Sequence, residues 1–235
     1  MPETSLRTYA RTGGALYLFV ILAALFGEAF VRGTLLVPGD PAATVHNLRS
    51  SEALFRAGIA VEFVTCACDV ALALILFRLL EPVSRNLALL GAFFRLTFVA
   101  VYSVSKLFLI AAAVIAGRAE YLAEAFEPKQ VNAMVWLALA MHDYGYGASL
   151  LFFGCCTVVF GYLVGKSGYL PRSLGILLLI AGAGYVVYSV AQVLSPSFAG
   201  KVLFPWLLLP GFVAELALSV WLVVRGVDSS AGILC

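Results

Sequence analysis

Long apolar runs separated by short polar segments dominate the chain, and each run is long enough to predict a membrane-spanning helix. A helix needs about 20 apolar residues to cross a hydrocarbon core ~30 Å thick. The runs that meet this length cover about 12–31, 54–80, 86–116, 131–164, 172–194 and 203–225. We therefore predict an all-α polytopic membrane helical bundle, a single domain over residues 1–235 with six transmembrane helices.

Cap and turn residues indicate where several of these helices begin and end. Proline disfavours helical geometry in the residue before it, so Glu81-Pro82 should end the second run. After the first run, Asp40 is a candidate N-cap and Pro41 a candidate first-turn residue. They predict a short helix at about 42–48, which we expect to lie at the membrane surface. The fourth run is too long for one crossing, and its glycines within 142–147 lead us to expect a break or kink there.

The composition excludes several classes of protein. Hydrophobic residues make up 63% of the chain and charged residues 12%, which is far from the composition of soluble domains. The formal net charge is +2, and no run is rich in Lys or Arg, so we expect the lipid bilayer and not nucleic acid as a partner. The five cysteines lack C-x-x-C spacing, so neither a zinc site nor a disulfide is predicted.

Charged residues on the second and third runs predict two ion pairs inside the membrane. At about 100° per residue, Glu62 and Asp69 share one helical face, and so do Arg95 and Lys106. The tight connection over 81–85 makes the two helices antiparallel neighbours. Depth counted from this turn at about 1.5 Å per residue matches Asp69 with Arg95 and Glu62 with Lys106. We therefore predict that each matched pair is in contact.

The same depth count places the other intramembrane charges in two layers. The midplane cluster consists of Asp69, Arg95 and Glu215. The outer cluster consists of Glu28, Glu62, Lys106, His142 and Asp143, with Gln192 at a similar depth. Ionisable groups inside spans are costly and commonly mark function. The outer cluster is therefore the predicted ligand-binding site, and the midplane cluster is a second polar site.

No reaction can be assigned from motifs. G-x-S-x-G and H-E-x-x-H are both absent, and His142 is the only histidine within the spans, so no catalytic residue, metal or cofactor is predicted. Three functions stay open. We favour transport or binding of a small polar or lipid-headgroup ligand. One alternative is a membrane-embedded enzyme that acts on a lipid or isoprenoid, with His142 or a carboxylate as acid or base. The other is a structural or interaction protein.

Flanking positive charges predict the orientation in the membrane. With six spans, seven Lys/Arg residues lie on the side of the termini: Arg7, Arg11, Arg78, Arg85, Lys166, Arg172 and Arg225. Six lie on the other side: Arg32, Arg49, Arg56, Arg118, Lys129 and Lys201. The positive-inside rule then favours cytoplasmic termini. The connection over 32–53 is expected outside.

Several segments resemble one family of bacterial membrane proteins. They include LVPGD at 36–40, SEALFR at 51–56, LALLGAFFR at 87–95 and SGYLPRSLG at 167–175, together with His142 and the stretch from Gly14 to Gly33. The family is the one catalogued as domain of unknown function 4386, and the resemblance covers essentially the whole chain. It implies a helical bundle in the bacterial inner membrane. It implies no activity, cofactor or catalytic residue.

Overall fold

The computed structural model describes residues 6–117 and 124–227, and these residues are helical almost throughout. The predicted features at Arg118 and Cys235 lie outside the described residues. The helices are α1 Leu6–Leu25, continued by a π-helical segment Phe26–Arg32 and α2 Gly33–Leu35; α3 Pro41–Ser50; α4 Glu52–Leu80; α5 Arg85–Ala116; α6 Pro128–Lys166; α7 Arg172–Leu194; α8 Pro196–Phe198, continued by a π-helical segment Ala199–Leu203; and α9 Leu209–Val224.

Helix length and composition confirm an all-α polytopic bundle. Within the described residues, five helices are long and apolar enough to cross a membrane: Leu6–Leu35, Glu52–Leu80, Arg85–Ala116, Pro128–Lys166 and Arg172–Leu194. The next apolar helix, α9, has 16 residues and therefore a length of only about 24 Å at ~1.5 Å per residue. The described residues thus have the architecture of a multi-pass membrane protein, with five helices of spanning length and one shorter apolar helix.

The helix predicted after Asp40 is confirmed as α3. The Asp40 side chain accepts a hydrogen bond from the Ala43 N–H at 2.9 Å, which satisfies one of the free N–H groups of the first turn. Val45 and Leu48 are buried in an apolar cluster that also contains Phe55 of α4 and Leu109 of α5. This contact fixes the apolar face of α3 against the neighbouring helices. Its position relative to the membrane surface stays a prediction.

The break expected in the fourth span is wrong, because α6 is one continuous α-helix from Pro128 to Lys166. The expectation treated the glycines at 142–147 as helix breakers. Gly145 instead permits close packing, since a Cβ placed on it would lie 2.8 Å from the Ser105 Cβ on α5. Glycine keeps its backbone N–H, so the helical hydrogen bonds can continue through such a position.

The first span contains a helical irregularity, and the last apolar helix begins later than expected. In the first span the Gly33 N–H bonds to the Glu28 carbonyl, five residues earlier, as in a π-helix. The last apolar helix begins at Leu209 and not near 203 as expected, and a turn precedes it. The observed start fits Pro210, because proline is favoured in the first turn of a helix, where its missing N–H costs no hydrogen bond.

The chain divides into two compact units. One is drawn from Met1–Ile21, Ala67–Ala100 and Gly147–Cys235, and the other from Leu22–Cys66 and Val101–Tyr146. The three residues of the midplane cluster lie in the first unit. The five residues of the outer cluster lie in the second. Each cluster can therefore be described within its own unit.

Candidate functional site

Glu62 of α4 is the centre of the outer cluster, and its carboxylate bonds to a cation through each oxygen. The Lys106 Nζ lies 2.5 Å from Glu62 Oε2, which confirms the predicted ion pair. The Arg32 Nη1 donates to Glu62 Oε1, also at 2.5 Å. Glu62 and Lys106 are only 1% and 0% exposed. One buried carboxylate thus forms ion pairs with two buried cations.

Arg32 is the member of this site that the sequence did not predict. It had been counted as a residue flanking the membrane, but it lies within the first spanning helix and is 7% exposed. Its Nε donates to Glu28 Oε2 at 3.2 Å, and its Nη2 bonds to the same oxygen. The guanidinium therefore links Glu28 to Glu62. The four-residue spacing of Glu28 and Arg32, which places oppositely charged residues on one helical face, was the available signal.

The carboxylates of the outer cluster differ sharply in exposure. The Glu62 side chain is 1% exposed, whereas the Glu28 side chain is 65% exposed. Asp143 is also exposed, and it interacts electrostatically with Glu28, Arg32 and Lys106. The fully buried part of the cluster therefore contains two cations and one carboxylate. The remaining negative charge is supplied from exposed positions.

Rings and a histidine surround the buried cations. The Lys106 Nζ lies 3.6 Å from the centroid of the Tyr102 ring, a cation–π contact, and the Tyr102 ring packs against that of Tyr146. His142 is buried, with its Nδ1 3.2 Å from the Ser105 carbonyl oxygen. His142 and Asp143 are adjacent on α6, but one is buried and the other exposed.

The backbone of the first span lies directly against the central carboxylate. A Cβ placed on Gly27 would collide with the Glu62 carboxylate, so a larger residue here would displace that carboxylate from its present position. The contact brings the π-helical segment with Glu28 and Arg32 close to α4. In the described part of the chain, no three or more His, Cys, Asp or Glu residues are grouped so as to hold a metal ion. The polar groups of this site are carboxylates, an ammonium, a guanidinium and an imidazole.

The midplane cluster is built around Arg95 of α5. Arg95 forms an ion pair with Asp69 of α4, as predicted, and both side chains are buried. The Arg95 Cζ lies 5.0 Å from the centroid of the Tyr17 ring and 5.4 Å from that of the Phe153 ring. The guanidinium is thus stabilised by a carboxylate and by two aromatic rings.

Glu215 joins this cluster through a tyrosine that the sequence reading did not single out. The Tyr185 hydroxyl donates to Glu215 Oε1 at 2.6 Å. Glu215 also interacts electrostatically with Arg95 and Asp69, so the structure brings the three predicted residues together. An adjacent cavity of about 20 Å³, lined by Tyr17, Arg95, Thr157 and apolar side chains, has room for about one water. The midplane cluster is therefore closely packed.

Comparison with known proteins identifies relatives without an assigned activity. An uncharacterized protein of Archaeoglobus fulgidus is 30% identical over 164 residues, which cover 70% of this chain and 80% of that protein. No solved structure matches the chain. The family model described as "Domain of unknown function (DUF4386)" matches residues 12–226. The match spans nearly the whole chain and agrees with the segments at 36–40 and 167–175, so the protein belongs to the DUF4386 family.

Proposed function

We propose that this membrane protein binds the anionic group of a small polar or lipid-headgroup ligand at the outer cluster, and that it transports this ligand. The observation that carries the proposal is the unequal burial of the two carboxylates bonded to Arg32. Glu62 is enclosed, whereas the Glu28 side chain is 65% exposed. An anionic group arriving from the exposed side can replace Glu28 on the guanidinium and leave the Glu62 contacts in place.

The residues around Arg32 suit this exchange. A guanidinium can bind two oxygens of a carboxylate or a phosphate through two parallel hydrogen bonds. Arg32 donates from its Nε and Nη2 to a single Glu28 oxygen, so the same two N–H groups are positioned to receive an incoming anion. Replacing one anion by another leaves the number of buried charges unchanged, which avoids the large cost of an unpaired buried cation. Glu28 and Arg32 also belong to a π-helical segment, a distortion that is frequent at functional sites.

A structural role is the better proposal for the midplane cluster. Arg95 is 2% exposed, is paired with Asp69 and lies against two aromatic rings. The cavity beside it has a volume of about 20 Å³, which is too small for an organic ligand. Buried pairs of this kind hold helices in register within a membrane. We therefore assign ligand binding to the outer cluster alone.

Native mass spectrometry of the full-length protein in mild detergent tests the binding step, with identification of any small molecule that co-purifies. Arg32→Gln should abolish the bound species, because it removes the group that contacts the ligand. Glu28→Gln should increase its occupancy, because it removes the competing carboxylate. Arg56→Gln is the matched control, since Arg56 also pairs with a glutamate four residues earlier on a helix but at an exposed site.

Opposite effects of the Arg32 and Glu28 substitutions are the distinguishing result. If both variants are folded and carry as much ligand as the unsubstituted protein, the outer cluster does not bind it. An assay in proteoliposomes then distinguishes transport from enzymatic activity. Appearance of the identified ligand in the vesicle lumen supports transport, whereas its recovery as a chemically altered product would replace transport by the enzyme alternative.

A further inference from the structure

An open groove of about 310 Å³ lies between the end of α6 and the beginning of α7. Glycines form its floor, where the two backbones approach closely. A Cβ on Gly161 would lie 2.9 Å from the Gly175 carbonyl oxygen, and a Cβ on Gly175 would lie 2.6 Å from the Gly165 N. A Cβ on Gly165 would meet nothing within 4 Å, so space is open above this residue.

Two exposed cations stand at the groove, one from each helix. Lys166 is the last residue of α6, and Arg172 is the first residue of α7. Within residues 6–117 and 124–227, neither is recorded in an ion pair with a carboxylate. The groove therefore has two positive charges where the spanning helices end, which is the level of lipid headgroups.

The wall of the groove becomes apolar farther along α7. Ile176 and Leu179 line it one and two turns after Arg172, and Ile176 is 58% exposed. Cationic groups at the ends of the spans, followed by apolar side chains in the direction of the membrane interior, match the order of groups in a phospholipid. A soluble anion would use the cations alone.

We propose that this groove binds an anionic phospholipid, with the phosphate between Lys166 and Arg172 and an acyl chain along Ile176 and Leu179. Basic pockets between transmembrane helices bind anionic headgroups, and each Lys or Arg at a charged membrane surface contributes ~1 kcal/mol. In a zwitterionic lipid the choline group neutralises the phosphate, so the two cations favour an anionic headgroup. The groove shares no residue with the outer cluster, and the proposal does not depend on the function proposed there.

Native mass spectrometry of the full-length protein, titrated in detergent with phosphatidylglycerol or phosphatidylcholine, tests the proposal. The double variant Lys166→Gln/Arg172→Gln should weaken the first phosphatidylglycerol binding step about 30-fold, as expected for two cations at ~1 kcal/mol each. The matched control is Arg85→Gln/Arg225→Gln, which removes the same charge from exposed residues expected on the same membrane side. It should leave this step within about 3-fold of the unsubstituted protein.

A third variant distinguishes lipid binding in the groove from nonspecific attraction to a positively charged surface. Gly165→Leu fills the groove without changing charge, and its side chain begins in open space, so the fold should persist. It should lower phosphatidylglycerol affinity by at least about 10-fold, with a melting temperature in lipid-free detergent no lower than that of the unsubstituted protein. Equal losses in the two double variants, full binding by Gly165→Leu, or equal affinity for phosphatidylcholine would each overturn the proposal. Inorganic phosphate binding as tightly as the lipid would do the same.

Discussion

At the scale of single residues, Glu62 is the group on which the charges of the outer cluster depend. Arg32 and Lys106 are both buried and both bond to its carboxylate at 2.5 Å. A buried cation that loses its carboxylate leaves an uncompensated charge in a medium of low polarity. The contribution of Glu62 should therefore far exceed that of a comparable pair at an exposed position.

Glu62→Gln should lower the free energy of unfolding by about 3–5 kcal/mol, the cost of breaking a buried pair from one side. Glu52→Gln is the control, because Glu52 pairs with Arg56 at 2.6 Å with both side chains about half exposed. This control should cost at most about 1 kcal/mol. Equilibrium unfolding in mixed micelles measures both. Equal effects of the two substitutions would show that the outer cluster is well hydrated.

Tyr169, in the connection between α6 and α7, stabilises the end of another helix. Its hydroxyl donates at 2.5 Å to the carbonyl of Leu79, one of the last carbonyls of α4, which lack partners within the helix. Tyr169→Phe should lower the free energy of unfolding by about 0.5–1.5 kcal/mol. The same unfolding experiment measures this, and an unchanged stability would mean that water replaces the hydroxyl at no cost.

The ionisation of Tyr169 adds a pH dependence to the same contact. Burial raises the pKa of Tyr169 to about 12, whereas an unfolded tyrosine has a pKa of about 10. Between these values the folded state holds the proton more tightly, so this contribution is complete below pH ~10 and declines as the pH rises toward 12. Tyrosinate absorbance of the unsubstituted protein should include a component in this range that Tyr169→Phe lacks. Its persistence in the variant would assign it to another tyrosine.

The two ion pairs of the α4–α5 hairpin could be predicted because helix geometry alone relates the residues. One short turn fixes the neighbours, and the rise per residue then fixes which charges face each other. Arg32 could not be placed in this way. Its apolar run appeared to end at Val31, and only the continued helix through the π-helical segment keeps Arg32 inside the span.

At the scale of helices, the length of the apolar runs was sufficient to find the five long spans. The sequence could not show which glycines of α6 pack closely against a neighbouring helix. Gly145 and Gly165 have the same intrinsic helix propensity. Their surroundings differ, since a Cβ would lie 2.8 Å from Ser105 at the first and in open space at the second. This difference depends on which helix packs where, and a single sequence does not state it.

Gly145 and Gly165 should therefore respond in opposite directions to the same substitution. Gly145→Ala forces the added methyl against Ser105 and should destabilise by about 1–3 kcal/mol, the usual cost of overpacking. Gly165→Ala should stabilise by up to about 1 kcal/mol through helix propensity. Unfolding of the two variants under identical conditions tests this. A stabilising Gly145→Ala would mean that α5 and α6 are farther apart than described.

At the scale of the whole molecule, the number of crossings decides where the C-terminal segment lies. The apolar helix α9 is about 24 Å long at ~1.5 Å per residue, somewhat shorter than a typical hydrocarbon core of ~30 Å. Local thinning of the bilayer accommodates a mismatch of this size at modest cost. We therefore expect α9 to cross, which gives the six spans predicted from the sequence.

Burial of Arg32 strengthens the predicted orientation. Since Arg32 is 7% exposed within the first span, it no longer counts as a flanking charge on the outer side, where the sequence count falls from six to five against seven on the terminal side. The positive-inside rule acts on charges in short flanking loops, so cytoplasmic termini become the firmer expectation. With this orientation, α3, between the first two spans, is expected to lie outside.

Single cysteines in a Cys-free background test orientation and span number together. Ser50→Cys and Ser197→Cys should react with an impermeant maleimide in intact cells, because both exposed serines lie in connections expected outside. Ser173→Cys and Arg225→Cys, also at exposed positions, should react only after permeabilisation. A fully inverted pattern would reverse the orientation. Labelling of Arg225→Cys in intact cells together with Ser197→Cys would show that α9 does not cross, since the two positions flank this helix.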